Sequence, residues 1–414
     1  MENGNTFNGI DKGAAKYKAY YPGDIITLDA NGNVQLPANF WEQTQIGTNT
    51  TAHLRNKLLL FDEEANPLNQ IFTLALKSTI IKFNLSNIPT SVGTLQKVVW
   101  TLETATGVFQ SMTLNVNNVT FSTGTTDLTA FLSFNPTIMK IAANGKVRIT
   151  LLGNQPYVWS TTVTTAKNYT AGKRYTGTSS SWKLNNPLNF LAESNVNSTG
   201  TGFVADRTAC NVSGYFTWSD AVTRFNTNKN IPGYHLPSIE EWRSIIPQSE
   251  NYIRLNSTSS NYNYNNVTET VVVQGQSITM TSDFNNSTAN NITYAIRYKG
   301  TNMVSAWRYE LLNYNTTTCH IKITTRCVAS TTTIADITNA TFWNNNNAND
   351  VVHYFPASGR SNGTGRNTIG YFWSSSEDSN PSYGYCMYFE QSFARSSNYM
   401  YSKTIGYTVR LFAD

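Results

Sequence analysis

The chain is poor in charge. Of its 414 residues, 30 are Lys or Arg and 25 are Asp or Glu, 13% in all, and the net charge is +5. The basic residues form no run beside stacked aromatics, which argues against a nucleic-acid partner. No apolar stretch approaches the roughly 20 residues of a membrane span. The opening Met1-Glu2-Asn3-Gly4-Asn5-Thr6 does not read as a signal peptide, so an exported form is expected to begin after one. Cysteine is scarce. Cys210, Cys319, Cys327 and Cys386 show no C-x-x-C spacing. Cys319 and Cys327 flank the β-like His320-Ile321-Lys322-Ile323, which leaves open a hairpin disulfide or four buried thiols, and the redox compartment stays unfixed.

The four histidines, His53, His235, His320 and His353, are dispersed, and only His320 has a cysteine neighbour. Zinc needs more ligands at closer spacings, so no metal and no other cofactor is expected. There is no G-x-S-x-G and no Cys/His pair suggested by spacing, so no catalytic residue is assigned and an enzyme is not expected. No repeat of about 20–50 residues points to a solenoid or propeller.

What is abundant is aromatic and neutral polar. Aromatics make up 13%, mostly Tyr and Phe, and Asn, Ser and Thr fill the place of charge. This composition predicts a mainly β protein with long polar loops and suits an extracellular surface. Residues 1–184 read as an antiparallel β-sandwich. Its strands are expected at Thr79–Ser86, Lys97–Leu102, Met112–Val116 and Lys146–Gly153, with Ile81, Phe83 and Leu85, or Val147, Ile149 and Leu151, on one face. A helical turn is expected around Leu128–Phe131. The polar stretch from Gly177 to Pro187 reads as a linker, with the boundary near 185.

Residues 185–414 read as α+β. Thr217 caps a helix whose Trp218, Ala221, Val222 and Phe225 share a face. Gly233-Tyr234-His235-Leu236-Pro237-Ser238-Ile239-Glu240-Glu241-Trp242 reads as a turn into a second helix. Ser238 and Glu241 have capping-box spacing, Ile239, Trp242 and Ile246 share a face, and Pro247 ends the helix. A polar tract, Asn251–Asn291, and a loop, Asn344–Asn367, precede two closing strands. The first carries Tyr383, Tyr385, Met387 and Phe389, the second Tyr407, Val409 and Leu411.

Candidate ligand contacts are Tyr252, Tyr262, Tyr264 and Tyr383 in polar segments. Trp242 and Trp373 offer sugar-stacking faces, but they sit inside fold-defining motifs and are expected in the core. Glu377 and Asp378 follow a Trp-Ser-Ser segment and have calcium-ligand chemistry. The E-P-N, Q-P-D and W-N-D triplets of calcium-dependent lectins are absent, so both are expected to be solvated charges.

Four ordered segments, Tyr215–Ala221, Gly233–Trp242, Tyr371–Ser375 and Gly406–Arg410, with Phe355–Arg360 as a further element, carry a resemblance. The C-terminal region resembles the FISUMP-type modules of Bacteroidetes surface proteins, which are similar to the C-type lectin-like fold. The resemblance implies that Gly233, Pro237, Ser238, Glu241, Trp242, Trp373, Gly406 and Arg410 are framework residues. The chain departs from the pattern at Tyr234-His235, where the family has Trp-Arg, and in a long insert after Pro247. The N-terminal region resembles the fimbrillin family of pilus proteins, with a transthyretin-like sandwich. The matching segments are Tyr17-Lys18-Ala19-Tyr20-Tyr21-Pro22, Asn56–Leu60, Leu74–Lys77 with Ile80–Phe83, and Ala171–Tyr175.

Together these resemblances imply a fimbrial subunit at the cell surface, exported as an outer-membrane lipoprotein precursor that touches the membrane only through a lipid anchor. They imply donor-strand exchange, in which a neighbouring subunit's strand fills a groove in the N-terminal domain, and contact with a host or bacterial glycan or protein through the C-terminal one. The chain ends at Asp414, just past Tyr407–Leu411, with no further strand to donate, so a tip adhesin is expected. The alternatives are a structural pilus or surface-anchor subunit that binds nothing small, and a surface enzyme of formylglycine-generating-like fold. The R-G-G-S-W segment and paired cysteines of such enzymes have no counterpart in this sequence.

Overall fold

A computed structural model of the chain is 45% strand and 10% helix, a mainly β architecture of several sheets. It describes residues 17–413 apart from 32, 65–72, 104–108, 256–262, 287–290, 345–346 and 348–349. The described residues form two units, 1–184 and 185–414. Among the described residues no helix is long and apolar enough to cross a membrane.

In the first unit the strands used below are β1 (Tyr17–Tyr21), β2 (Gln43–Ile46), β3 (Leu60–Glu64), β4 (Ala75–Leu76), β5 (Thr79–Leu85), β6 (Lys97–Glu103) and β7 (Phe109–Asn117). They continue with β8 (Leu128–Phe134), β9 (Gly145–Leu152), β10 (Tyr157–Val163), β11 (Arg174–Ser179) and β12 (Lys183–Leu184). One sheet runs β12-β10-β9-β6-β7-β2, a second β8-β5-β11, and a third β1-β3-β4. Strict alternation in β5 buries Ile81, Phe83 and Leu85 and turns Lys82 and Asn84 outward. Phe83 meets Trp100 of β6 edge-on at 5.6 Å, and Trp100 meets Phe134 of β8 at 5.3 Å, so the first two sheets share one core. Pairing is antiparallel except for β11 on β5 and β2 on β7, which are parallel.

The turn expected at Leu128–Phe131 is instead the start of β8, which pairs with β5 from Leu128↔Leu85 to Phe134↔Thr79. The run Leu-Thr-Ala-Phe-Leu-Ser-Phe is buried almost throughout, and a short continuous apolar run has no period that separates helix from strand. Ladder pairing to β5 decides it.

The second unit begins with α1 (Trp218–Val222), capped by the Thr217 hydroxyl, which accepts from the Asp220 N–H, and continued by a wider π-type turn, Thr223–Thr227. Next come β13 (Tyr234–His235), α2 (Ile239–Arg243) and β14 (Ile253–Arg254). A six-stranded antiparallel meander follows: β15 (Asn263–Val273), β16 (Gln276–Asn285), β17 (Ile292–Lys299), β18 (Ser305–Leu312), β19 (His320–Cys327) and β20 (Val351–Pro356). A four-stranded sheet is ordered β14-β23-β22-β21, with β21 (Gly370–Glu377), β22 (Tyr383–Phe389) and β23 (Phe393–Ser402). The short β24 (Phe412–Ala413) pairs with β13. The polar tract Asn251–Asn291 therefore holds a long hairpin, β15–β16, and the expected loop Asn344–Asn367 holds β20.

Tyr407, Val409 and Leu411 lie in the core, but their segment is extended rather than a laddered strand. It bonds alternately to Phe216, Val196, Ala192 and Trp373. The hairpin disulfide is excluded by geometry. Cys319 and Cys327 stand at opposite ends of β19, roughly 25 Å apart at strand rise, and all four cysteines are free and buried.

Candidate functional site

The motif that stands out in the sequence builds a frame. The Ser238 hydroxyl accepts from the Glu241 N–H at 3.1 Å, and the Ser238 N–H donates to Glu241 Oε2 at 2.8 Å, closing the capping box. Glu241 Oε1 lies 2.9 Å from His235 Nε2, so the carboxylate also holds β13. Gly233 has φ +80°, a conformation that glycine takes without strain, and a Cβ at Gly406 would come 2.9 Å from Ser361 Cβ. Trp242 and Trp373 are fully buried, and their indole N–H groups donate to Trp373 O and Phe216 O. Neither offers a face to solvent.

Arg410 is also fully buried. Nε donates to Asn195 Oδ1, Nη1 to Ala192 O and Glu193 O, and Nη2 to Tyr354 O. Burial draws its pKa down to about 9, so it remains a cation at neutral pH, held by carbonyl dipoles. Pro237 leads into α2, and its carbonyl accepts from the Ser375 N–H of β21.

Beside this frame lies a cleft of about 580 Å³. Its walls are Arg243 at the end of α2, Gln248 to Tyr252 in the following turn, Thr268 to Val271 of β15, and Arg395 of β23. A buried arginine fixes the β15 wall. Arg297 of β17 donates to Glu269 Oε1 at 3.0 Å and to the carbonyls of Arg243, Ser244 and Ile245 at the end of α2. A cation at these last carbonyls also matches the helix dipole. Burial alone would pull the pKa of Arg297 down, but Glu269 and the hydroxyls of Tyr309 and Tyr298 more than offset this, and the net shift is upward. On the opposite wall Arg395 Nη1 is paired with Glu250. Both carboxylates of the cleft are thus neutralised by guanidinium groups. Tyr252 contributes an aromatic ring that is stacked on Phe284 at 5.1 Å and meets Tyr264 in a T-shaped contact at 5.2 Å.

A family model matches residues 183–412, and it describes a domain of unknown function, DUF8237. The chain belongs to this family. No curated protein matches it.

The DUF8237 region contains every ligand candidate read from the sequence. Tyr252 lines the cleft and Tyr264 packs against it, while Tyr262 lies outside the described residues. Glu377, Asp378 and Tyr383 fall together on the β21–β22 hairpin. Lys403 Nζ, itself 4.1 Å from the Trp218 ring centroid, pairs with Glu377. Asp378 accepts from the Asn380 N–H at 2.9 Å, and this bond and the Tyr385 hydroxyl lower its pKa. The Tyr383 carbonyl accepts from the Asp378 N–H at 3.2 Å. The two acids are committed to local contacts, and among the described residues no group of three or more His, Cys, Asp or Glu could hold a metal ion.

Burial raises the thiol pKa of Cys319 to about 11 and of Cys327 to about 12, and shifts Cys210 and Cys386 in the same direction. None of the four is poised as a thiolate. Arg243, Gln248, Glu250, Glu269 and Arg395 are cleft residues that the sequence reading did not pick out. For Arg243, Glu250, Glu269 and Arg395 the only signal was charge in a charge-poor chain, and Gln248 carried none.

In the first unit the two edges of the small sheet differ. The outer side of β8 is sealed by side chains of β2. Gln43 Nε2 donates to Ser133 O at 2.7 Å while Gln43 Oε1 accepts from the Ser133 N–H at 2.8 Å. Gln45 does the same with Thr129 O and the Phe131 N–H, at 2.8 and 3.1 Å. Both amides are buried and stand where a neighbouring strand's backbone would be. At the opposite edge β11 pairs only with β5, and among the described residues no strand covers its outer side.

Proposed function

We propose that the protein is a cell-surface pilus subunit that receives a strand from another subunit in its N-terminal sandwich and makes adhesive contacts through its DUF8237 unit. The observation that carries the reading is the contrast between the two sheet edges. One is sealed by buried glutamine amides, and the other, β11, has no strand on its outer side among the described residues. An uncovered edge of this kind is a site for strand addition, with main-chain bonds supplying affinity. The fimbrillin-like segments Tyr17–Pro22 and Ala171–Tyr175 and the FISUMP-like frame support the same assignment. The segment 406–413 is built into its own unit, so it is not the strand that a neighbour would receive, and the proposal places the subunit at the fibre end. A lipidated outer-membrane precursor completes the proposal.

The experiment is immunogold electron microscopy on intact producing cells, with antibody against the DUF8237 unit. Label at the ends of surface fibres is expected. Label along whole shafts would remove the end position, and no label on any surface fibre would remove the pilus assignment. A shaft pattern together with no ligand on glycan or matrix-protein arrays would favour a structural subunit.

A further inference from the structure

We infer that the cleft bounded by α2, the 248–252 turn, β15 and β23 binds a neutral, hydroxyl-rich ligand, a short uncharged oligosaccharide. Its biological meaning rests on the adhesive role proposed above. The volume, about 580 Å³, falls in the usual range of small-ligand clefts, roughly 300–1,000 Å³.

The chemistry of the walls selects the ligand. Glu250 is already paired with Arg395, and Glu269 with Arg297, so a charged ligand would have to compete with ion pairs that are in place. Arg243 has Glu240 at 3.6 Å. What the walls offer an incoming molecule is the Gln248 amide, the Thr268 and Thr270 hydroxyls, and the edges of planar guanidinium and carboxylate groups. The amide and the hydroxyls both donate and accept, the guanidinium groups donate and the carboxylates accept, which together match sugar hydroxyls. A peptide partner would need apolar pockets for its anchors. Among the residues that line the cleft the one aliphatic side chain, Val271, is 1% exposed and offers no such pocket.

The remaining apolar feature is the ring of Tyr252. Phe284 stacks on the ring and Tyr264 meets it in a T-shaped contact, which fixes an aromatic group in the cleft wall that can pack against the C–H side of a sugar ring. The β15 wall is rigid because Arg297 ties Glu269 to the end of α2, so the polar groups are held in place before the ligand arrives.

The test uses the purified full chain on an array of neutral, sialylated and sulfated oligosaccharides, with any hit titrated in solution. Gln248 and Thr268 line the cleft and are exposed, so the double variant Gln248→Ala/Thr268→Ala is expected to fold normally. Neutral oligosaccharides are expected to bind, with affinity about 10-fold weaker in the double variant and weaker still in Tyr252→Ala. No binding to any glycan, binding confined to the acidic ones, or neutral binding unchanged in the double variant would overturn the inference. Failure on the array by a protein that is still found on surface fibres would leave the pilus assignment standing. Neutral-glycan binding by a protein absent from those fibres would do the reverse.

Discussion

Arg410 shows how one side chain can hold a domain together. Its guanidinium joins residues 192–195, the β20 backbone and the last extended segment, and it has no carboxylate among its hydrogen-bond partners. Arg410→Ala is expected to cost the second unit about 3–5 kcal/mol, because four acceptors, two of them buried and two partly buried, lose their donors at once. Arg410→Lys should cost nearly as much, since an ammonium cannot reproduce the planar fork. Chemical denaturation with a probe in the second unit would measure both.

Beside it, His353 is 1% exposed, and burial together with the charges of Arg410 and Arg207 lowers its pKa from 6.5 to about 3. Between those values the unfolded chain binds a proton that the fold does not. Stability is therefore full above about pH 6.5 and falls as pH drops toward 3, by about 1.4 kcal/mol per pH unit from this group. Burial moves His320 the same way. A His353→Gln variant should show a shallower loss of stability than the parent between neutral pH and about pH 4. Equal slopes would contradict the assignment.

At the scale of elements, legibility followed sequence distance. The capping box of α2 was readable because Ser238 and Glu241 are three residues apart and their bonds are local. Ser238→Ala should lower stability by about 0.5–2 kcal/mol. The alternation of β5 was readable because its period states which face is buried. The strand β8 was misread because its apolar run carries no period, and only its pairing with β5 identifies it.

The cleft was not readable at all beyond Tyr252. Its walls come from four separate elements, and the Arg297–Glu269 tie that fixes one of them spans 28 residues and reads in sequence as two scattered charges. The glutamine seal on β8 was equally hidden, with partners about 90 residues away. A Gln43→Ala/Gln45→Ala variant leaves the Ser133 and Phe131 N–H groups without acceptors. It should destabilise the first unit by about 1–3 kcal/mol per lost acceptor. It should also open a second sheet edge to self-association. Thermal melting and light scattering would report the two effects separately.

On the scale of the whole molecule, the division of labour follows from the two units taken separately. The first is a sandwich whose β8-β5-β11 sheet has one sealed edge and one edge that no strand covers among the described residues. The second is a DUF8237 domain whose motif residues are spent on the frame, while a cleft lies among insert and strand residues beside it. The central claim is that β11 receives a strand from another subunit. It is tested most directly by placing a photoreactive residue at Thr176 of β11 in producing cells, and in parallel at Thr129 of the sealed β8. Irradiation should yield covalent adducts to other pilus subunits from position 176 and none from 129. Adducts from 129 alone, or none from 176 in cells that carry surface fibres, would contradict the account.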